Sequence, residues 1–258
     1  MRLALLSDLH SNLRAFEACL AHARAQGADR FALLGDLVGY GAEPAQVVDL
    51  AMRLHEEGAL VLQGNHDLMV SRGLTAPAGH AAAPANDAQA GVAWTRDQLA
   101  PAQTAFLQGL PLTQQVGDCL LVHATADDPP AWRYATTPPL VARSLEAARE
   151  RHHARCVFGG HVHEQRLWYA GRRGDLMPFE PPPGSSVPLL VPRFWLATIG
   201  SVGQPRDGDT RAAYALYEDS PAPRLSFFRV RYDHAAAAAA VRASGLPARL
   251  ADRLMEGR

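Results

Sequence analysis

The sequence predicts an α/β protein, and three features of the chain support this. Short apolar runs alternate with stretches of helical period near the start, which is the pattern of a βαβαβ unit. The second half contains further short apolar runs and therefore predicts additional strands. The chain has 258 residues, 48% of them hydrophobic, which suffices for a single domain with a large core.

The first predicted elements alternate strictly between strand and helix. They are the strand Arg2–Leu6, the helix Asn12–Ala25, the strand Phe31–Leu34, the helix Pro44–Glu57 and the strand Leu60–Leu62. Ser11 or Asn12 can cap the first helix with a side-chain oxygen. This order predicts neighbouring parallel strands with helices covering them.

The middle of the chain predicts a helical insert over about residues 73–112. Residues 73–87 are rich in Ala, Pro and Gly and offer little to bury, so we expect a mobile flap. Helices are predicted near Asp87–Leu99 and Pro101–Gln108.

The rest of the chain predicts mainly strands. The elements are the strand Cys119–Val122, the helix Pro139–Arg151 and the strands Cys156–Phe158, Arg166–Ala170, Phe194–Ile199, Ala212–Tyr217 and Leu225–Val230. The proline-rich stretch 178–192 predicts a surface loop. At the end, Asp233 caps an alanine-rich helix, and Leu246, Leu250 and Leu254 form one apolar stripe.

Composition excludes several classes of function. All 25 basic residues are Arg, so Schiff-base lysine chemistry and a P-loop lysine are excluded. The net charge of −1 disfavours nucleic acid as a partner. No apolar run is long enough for a membrane span or a signal peptide. Three widely spaced cysteines predict buried, reduced thiols in a cytoplasmic protein.

Polar residues with metal-binding side chains directly follow five of the predicted strands. They are Asp8 and His10 in SDLH, Asp36 in GD, Asn65 and His66 in GNHD, His123 in LLVHA, and His161 and His163 in GGHVH. In an open α/β sheet, sites form at the carboxyl ends of the strands, so we expect these residues to meet.

This ligand set predicts two divalent ions. Its oxygen and nitrogen donors suit Mn, Fe or Zn, and seven ligands are too many for one four-coordinate ion. Asp8 and His10 are separated by one residue, so both can bind the same ion. The same spacing lets His161 and His163 bind one ion together. Asp36 would bridge the two ions. Two such ions can activate a bridging water for attack at phosphorus. His66, one residue beyond Asn65, is free to protonate the leaving oxygen.

These ordered blocks resemble the calcineurin-like metallophosphoesterase superfamily, and SVGQPRDGD resembles a block of its small prokaryotic phosphodiesterase branch. The resemblance implies a two-sheet β-sandwich flanked by helices (α/β/β/α). It implies one ion on Asp8, His10, Asp36 and His163 and another on Asp36, Asn65, His123 and His161. It also implies that His66 is the general acid.

The resemblance further narrows the substrate. Protein Ser/Thr phosphatases of the superfamily carry Asp-Arg near the bridging aspartate, whereas this chain reads GDLVGYG. This favours a small phosphodiester or dinucleoside polyphosphate over a phosphomonoester or phosphoprotein. Arg206 could bind a distal phosphate or pair with Asp207 or Asp209. Tyr40 and Trp132 could stack on the substrate, but rim packing is the commoner role.

Three other functions fit less well. A metal-binding scaffold, like the retromer subunit of this superfamily, would lack the acid histidine, and His66 is present. A DNA nuclease of the superfamily is disfavoured by the near-neutral charge. A zinc amidohydrolase would begin with H-x-H on a barrel strand, which SDLH does not match.

Overall fold

The structure, a computed structural model, describes residues 1–74, 85–170 and 175–258, without the side chains of 85–89. Its strands are β1 (Arg2–Leu6), β2 (Arg30–Leu33), β3 (Leu60–Val61), β4 (Thr113–Val116), β5 (Cys119–Val122), β6 (Cys156–Gly159), β7 (Gln165–Ala170), β8 (Leu176–Phe179), β9 (Ser186–Pro188), β10 (Phe194–Ile199), β11 (Ala212–Glu218) and β12 (Arg224–Val230). Its helices are α1 (Leu13–Ala25), α2 (Pro44–Glu56), α3 (Asn65–Arg72), α4 (Ala85–Asp97), α5 (Pro101–Gly109), α6 (Pro138–His152), α7 (His234–Ala243) and α8 (Ala248–Glu256).

The described strands form two mixed six-stranded sheets. The first has the order β3-β2-β1-β11-β12-β9, and the second has the order β4-β5-β6-β10-β7-β8. In the first sheet β1 pairs parallel with β2 and antiparallel with β11. In the second, β6 lies between two parallel neighbours, β5 and β10. The two-sheet sandwich flanked by helices is thereby confirmed.

The apolar side chains of β1 contribute to two separate core layers. Leu3 and Leu5 belong to the layer between the two sheets, whereas Ala4 and Leu6 belong to the layer under the helices. Successive side chains of a strand point to opposite faces. Because both faces of β1 are buried, the strand reads as a continuous apolar run, as is typical of central parallel strands.

Helices cover the outer faces of both sheets. The first helix, α1, begins at the predicted cap, where the side-chain oxygen of Asn12 accepts from the amide of Ala15 at 3.2 Å. It packs on β11 and β12, while α6 packs on β6 and β10 of the other sheet. Among the described residues, no helix combines the length and apolarity that a membrane span requires.

The proline-rich stretch differs from the prediction because it contains two strands. β8 pairs with β7 at the edge of the second sheet, and β9 pairs with β12 at the edge of the first. Each carries a proline, Pro178 or Pro188, which an edge strand tolerates because one side of its backbone needs no partner. The strand β4 was also missed, and it forms a hairpin with β5.

The insert is described only in part. The helices α4 and α5 pack against α3, and buried Val92 and Leu107 join the core under the first sheet's helices. The predicted flap over 73–87 lies mostly outside the described residues, which omit 75–84. The extent of the insert therefore stays a prediction.

Candidate metal centre

Seven predicted ligands converge where the carboxyl ends of strands from both sheets meet. The loops after β1, β2 and β3 carry one part of the set, and the loops after β5 and β6 carry the rest. All seven are buried: Asp8, His10, Asp36, Asn65, His123, His161 and His163. The first sheet therefore supplies all the oxygen donors and one histidine, and the second supplies three histidines.

The predicted ligands form two adjacent groups, and a third, overlapping group joins His10 and Asp36 to the predicted acid, His66. Each group has ligand atoms within 4.8 Å of one another: Asp8 with His10 and His163, and Asp36 with His123 and His161. Asp36 joins the groups, because its Oδ2 lies 3.4 Å from Nε2 of His123 and 3.7 Å from Nε2 of His10. Asn65 adds its Oδ1 at 3.2 Å from His123 Nε2. The spacing of His161 and His163 predicted that both bind one ion, but the structure places them in different groups.

Each of the four histidines in these groups is tethered to a backbone carbonyl through one ring nitrogen. The tethers are Nδ1 of His10 to Val38 (3.2 Å), Nδ1 of His123 to Leu34 (2.8 Å), Nδ1 of His163 to Gln204 (2.6 Å) and Nε2 of His161 to Trp132 (2.8 Å). Because a carbonyl only accepts, each tethered nitrogen donates. The other nitrogen of each neutral ring is then an acceptor.

The inward-facing ring nitrogens of His10 and His163 have no donor between them, because burial lowers the pKa of both rings and keeps them neutral. Nε2 of His10 lies 3.1 Å from Nε2 of His163, although both rings already donate through Nδ1. Oδ1 of Asp8, 3.1 Å from the same His163 nitrogen, is buried with no hydrogen-bond partner in the described structure. Several buried lone pairs facing one another are costly without a cation, so these residues fit a metal site.

Electrostatics in the pocket favour ionised carboxylates. Burial opposes ionisation of Asp8, but His163 and His123 together outweigh it and lower the pKa of that carboxyl. Burial likewise opposes ionisation of Asp36, but His123, His66 and His10 together outweigh it and lower its pKa. Burial lowers the pKa of His161 to about 3, whereas at His123 the charges of Asp36 and Asp8 outweigh burial and raise the pKa to about 9. Metals bind ionised aspartates and neutral histidines, so an ion bound by His123 would displace its proton.

The backbone of the site is strained. Five of the seven candidate ligands have left-handed φ values: Asp8 (55°), His10 (46°), Asp36 (54°), His161 (65°) and His163 (65°). Non-glycine residues rarely adopt this region, and clusters of such residues mark functional sites. The chain also packs very closely here, because a Cβ on Gly160 would lie 2.3 Å from Oδ2 of Asp8.

This geometry agrees with a comparison of the whole chain with known families. A model of the calcineurin-like phosphoesterase superfamily domain matches residues 1–220. The chain belongs to the calcineurin-like phosphoesterase superfamily. The resemblance drawn from the five sequence blocks is thus confirmed.

Two solved structures and one curated protein are similar to this chain over nearly its whole length. A metallophosphoesterase from Sphaerobacter thermophilus is 32% identical, with a TM-score of 0.84 over 100% of this chain and 99% of its own. A hypothetical protein from Pyrococcus horikoshii shares the fold at 16% identity and a TM-score of 0.76, over 100% of this chain and 98% of its own. An uncharacterized protein of Methanocaldococcus jannaschii is 29% identical over 262 residues, covering 99% of this chain and 98% of its own.

The GNHD block begins the helix α3, which the sequence did not predict. Its aspartate, Asp67, accepts backbone N–H groups from Gly64 (2.9 Å), Leu37 (2.9 Å) and Val38 (3.2 Å). Asp67 thus caps α3 and also fixes the loop that follows Asp36. Burial, followed by the charge of Asp36, raises the pKa of Asp67 to about 7.

Gly64 is not needed here for a sharp turn of the backbone. Its φ of −100° and ψ of 174° are ordinary extended values. Instead, a Cβ at this position would lie 2.1 Å from Oδ1 of Asp36 and 2.2 Å from its backbone nitrogen. Glycine is therefore required because Asp36 lies against the backbone here.

His66, the predicted acid, lies beside the ligands but is held differently from them. Its backbone N–H donates to Oδ1 of Asp36 at 2.8 Å, and its ring lies 4.6 Å from Tyr40 and 5.0 Å from His10. Its Nδ1 is buried and, within the described chain, has no hydrogen-bond partner. Burial lowers the pKa of His66 to about 4, against the opposing effect of Asp36. In contrast to the four tethered histidines, His66 has no backbone carbonyl among the described residues that holds a proton on its Nδ1.

Arg206 does not form the ion pairs suggested as an alternative to substrate binding. In the described structure Asp207 pairs with Arg229, and Asp209 pairs with Arg211 at 2.6 Å. Nε of Arg206 is buried without a hydrogen-bond partner among the described residues. The guanidinium is therefore available to a ligand.

The charge of Arg206 also reaches the metal-ligand groups. Burial and then the positive charge of Arg206 lower the pKa of His163. In His66, Arg206 adds to the lowering caused by burial. Arg206 therefore lies near both a candidate ligand and the candidate acid.

Aromatic residues line the rim of the site. The carbonyl of Trp132 tethers His161, and the Trp132 ring lies 5.8 Å from that of His123, so this tryptophan packs on the ligands. Tyr134, which sequence reasoning missed, stacks on His161 with ring centroids 4.1 Å apart. No local pattern marks Tyr134, because its partner is 27 residues away in the chain.

Proposed function

We propose that this protein is a phosphoesterase that uses two divalent ions to hydrolyse a small phosphodiester or a dinucleoside polyphosphate. The observation that carries the proposal is the set of inward-facing acceptors, above all the 3.1 Å approach of Nε2 of His10 to Nε2 of His163. Membership of the superfamily supports the reaction class. Three buried cysteines without disulfides support a reducing, cytoplasmic environment.

The two ligand groups divide the ions between them. One ion would be held by Asp8, His10, Asp36 and His163, and the other by Asp36, Asn65, His123 and His161. The mixture of carboxylate, amide and imidazole donors, without thiolate, suits Mn, Fe or Zn. When bound, two such ions lower the pKa of a water between them and stabilise charge at phosphorus.

The chain's own contribution to proton transfer is His66. Its imidazole is neutral in the pocket because burial lowers its pKa. The negative charge of a bound phosphate would raise that pKa and favour the protonated ring. With Nδ1 untethered, His66 can then give a proton to the leaving oxygen.

The choice of substrate rests on charge. A diester carries less negative charge than a monoester, so the two ions can stabilise its transition state with less help. Arg206 would bind a distal phosphate or a ribose of the substrate. A phosphomonoesterase is the alternative.

Two measurements test the proposal. Elemental analysis of protein loaded with Mn²⁺ should give two ions per chain, and fewer would refute the two-ion site. Under the same metal, kcat/KM should be higher for bis-p-nitrophenyl phosphate or diadenosine tetraphosphate than for p-nitrophenyl phosphate or a phosphopeptide. A tenfold advantage for the phosphopeptide, ~1.4 kcal/mol, would assign the chain to the phosphatases instead. No hydrolysis by protein that holds both ions would favour the scaffold.

A further inference from the structure

The helix pair formed by α7 and α8 lies beyond the residues that the superfamily model matches, yet it packs against the site. Its apolar faces form a buried cluster that includes Tyr40, together with Ala237, Ala238, Val241, Leu246, Leu250, Ala251 and Leu254. Tyr40 in turn contacts the rings of His10 and His66, each at 4.6 Å. One tyrosine therefore separates the helix pair from the candidate acid.

Arg253 on α8 is a buried cation on this boundary. Only 7% of the residue is exposed, and its guanidinium carbon lies 5.6 Å from the ring centroid of Tyr40. Its Nε donates to the carbonyl of Arg258 at 2.8 Å. Its Nη1 is buried and has no hydrogen-bond partner in the described part of the chain. Burying an arginine nitrogen in this way costs free energy unless a ligand satisfies it.

The nearby acidic residues are engaged elsewhere. Asp252 binds Nη2 of Arg242 at 2.8 Å, and Glu256 lies 3.5 Å from Nε of Arg258. Neither of these ion pairs includes Arg253. Its positive charge is therefore not neutralised by the acids beside it on α8.

Arg206 faces the same open cavity as Arg253. The cavity has a volume of about 490 Å³ and is lined by Arg206, Arg249, Asp252, Arg253, Glu256 and Arg258. Burial, followed by the like charge of Arg206, lowers the pKa of Arg253 to about 10. Each of these two guanidinium groups has a buried N–H that lacks a hydrogen-bond partner in the described structure, and planar guanidinium groups are suited to binding anions.

We propose that Arg253 and Arg206 bind a second phosphate group of the substrate, beyond the phosphorus that lies at the metal-ligand groups. This proposal rests on the proposed phosphoesterase function and narrows it to substrates with a chain of phosphates. Phosphate suits the pair because the planar guanidinium matches two of its oxygens at once. Arg253 lies on α8 and packs against Tyr40, beside the candidate acid. Through Arg253, the helix pair would make the site, whose ligands come from the two sheets, selective for the number of phosphates in the substrate.

The test compares diadenosine diphosphate, triphosphate and tetraphosphate, which differ only in the number of phosphates. At a fixed concentration of free Mn²⁺, kcat/KM of the unaltered protein should rise at least tenfold from the diphosphate to the tetraphosphate. Arg253→Gln should abolish this rise. Arg253→Lys, which keeps the charge but loses the fork, should retain part of the rise.

Arg242→Gln is the matched control. It removes one positive charge from the same helix pair, and its side chain is exposed and paired with Asp252 rather than lining the cavity. We expect it to keep the full dependence on phosphate number. An equal loss in this variant would mean that net charge matters and the proposed subsite does not.

A binding experiment separates this proposal from the proposed function. Calorimetry on chelator-treated protein should show that inorganic tripolyphosphate binds more tightly than inorganic phosphate, and that Arg253→Gln weakens tripolyphosphate about tenfold. If the unaltered protein cleaves bis-p-nitrophenyl phosphate but shows no dependence on phosphate number, the subsite is refuted and the phosphoesterase stands. If tripolyphosphate binds through Arg253 but the metal-loaded protein cleaves no substrate, the phosphoesterase proposal fails and the anion site stands.

Discussion

Two clusters of this protein contain metal-binding side chains at similar separations, but their surroundings differ. In the first, Asp36, His123 and His161 have ligand atoms within 4.8 Å of one another. In the second, Asp118, Cys119 and Cys156 meet the same limit where β5 and β6 run side by side. Distance alone would make both of them metal sites.

The surroundings of the second cluster oppose metal binding. Asp118 is already paired with Arg155 at 2.8 Å. A hydrogen bond with Cys156, together with burial, raises the pKa of Cys119 and keeps it a thiol, whereas metal ligation needs the thiolate. Its strands pair in regular parallel register.

The surroundings of the first cluster favour metal binding. Its histidines are tethered to carbonyls, and two of its members, Asp36 and His161, have left-handed backbones. No ion pair with an arginine occupies Asp36 among the described residues. The comparison shows that a metal site is defined by the groups that hold the ligands from behind, and not by the distances between ligand atoms alone.

Asp36→Asn should give the largest effect, because Asp36 joins both ligand groups. We expect fewer than two ions per chain by elemental analysis and a kcat lower by ~10³-fold, as when one strong electrostatic contact to a transition state is lost. Asp118→Asn is the matched change in the second cluster and should alter neither quantity. Equal effects of the two substitutions would remove the distinction between the clusters.

His66→Ala should keep both ions but slow hydrolysis. Losing a general acid costs ~10²–10⁴-fold for poor leaving groups. The loss should be smaller for esters of p-nitrophenol, which leaves without a proton. His55→Ala, at an exposed histidine, is the control. A loss that does not depend on the leaving group, or a loss of metal, would assign His66 to ligation or packing.

Gly64→Ala tests the close approach of Asp36 to the backbone. The new Cβ would overlap Oδ1 of Asp36, and such overpacking typically costs ~1–3 kcal/mol. Thermal denaturation should show a lower Tm than that of the unaltered protein, with weaker metal binding. Gly109→Ala, whose Cβ would meet no atom within 4 Å, should be neutral or slightly stabilising. A neutral Gly64→Ala would contradict the packing argument.

Cys119→Ala and Cys156→Ala should have the smallest effect on function. Metal content and kcat/KM should stay within twofold, while stability falls by about 1 kcal/mol, a common result of truncating a core residue. The measurement is elemental analysis together with chemical denaturation. Loss of a tightly bound ion in either variant would show that the second cluster holds metal after all.

Most of the sheet framework was predictable because its signals are local. The continuous apolar runs of β1 and β10 gave the observed bounds, and the cap at Asn12 placed α1 within one residue. β8 and β9 were missed because each is short and contains a proline, which argues against a strand. Their pairing partners, β7 and β12, cannot be read from the stretch itself.

The candidate site was predictable to the extent that its residues follow strands. Each of the seven candidate ligands lies just after an apolar run, so topology alone brings them together. Arg253 and Tyr134 were not found, because each reaches the site through tertiary contacts. The apolar stripe of α8 was recognised, but its docking against Tyr40 has no local signal.

The position of β1 has a consequence for the order of events during protein synthesis. β1 is synthesised before the other described strands, but one of its two neighbours, β11, begins only at Ala212. Until then β1 is an edge strand with unpaired backbone groups, a surface on which nascent chains can associate. The ligand-bearing loops, whose last member is His163, are all synthesised before β11. Chaperone capture of the nascent chain would therefore protect the open edge of β1 until β11 is synthesised.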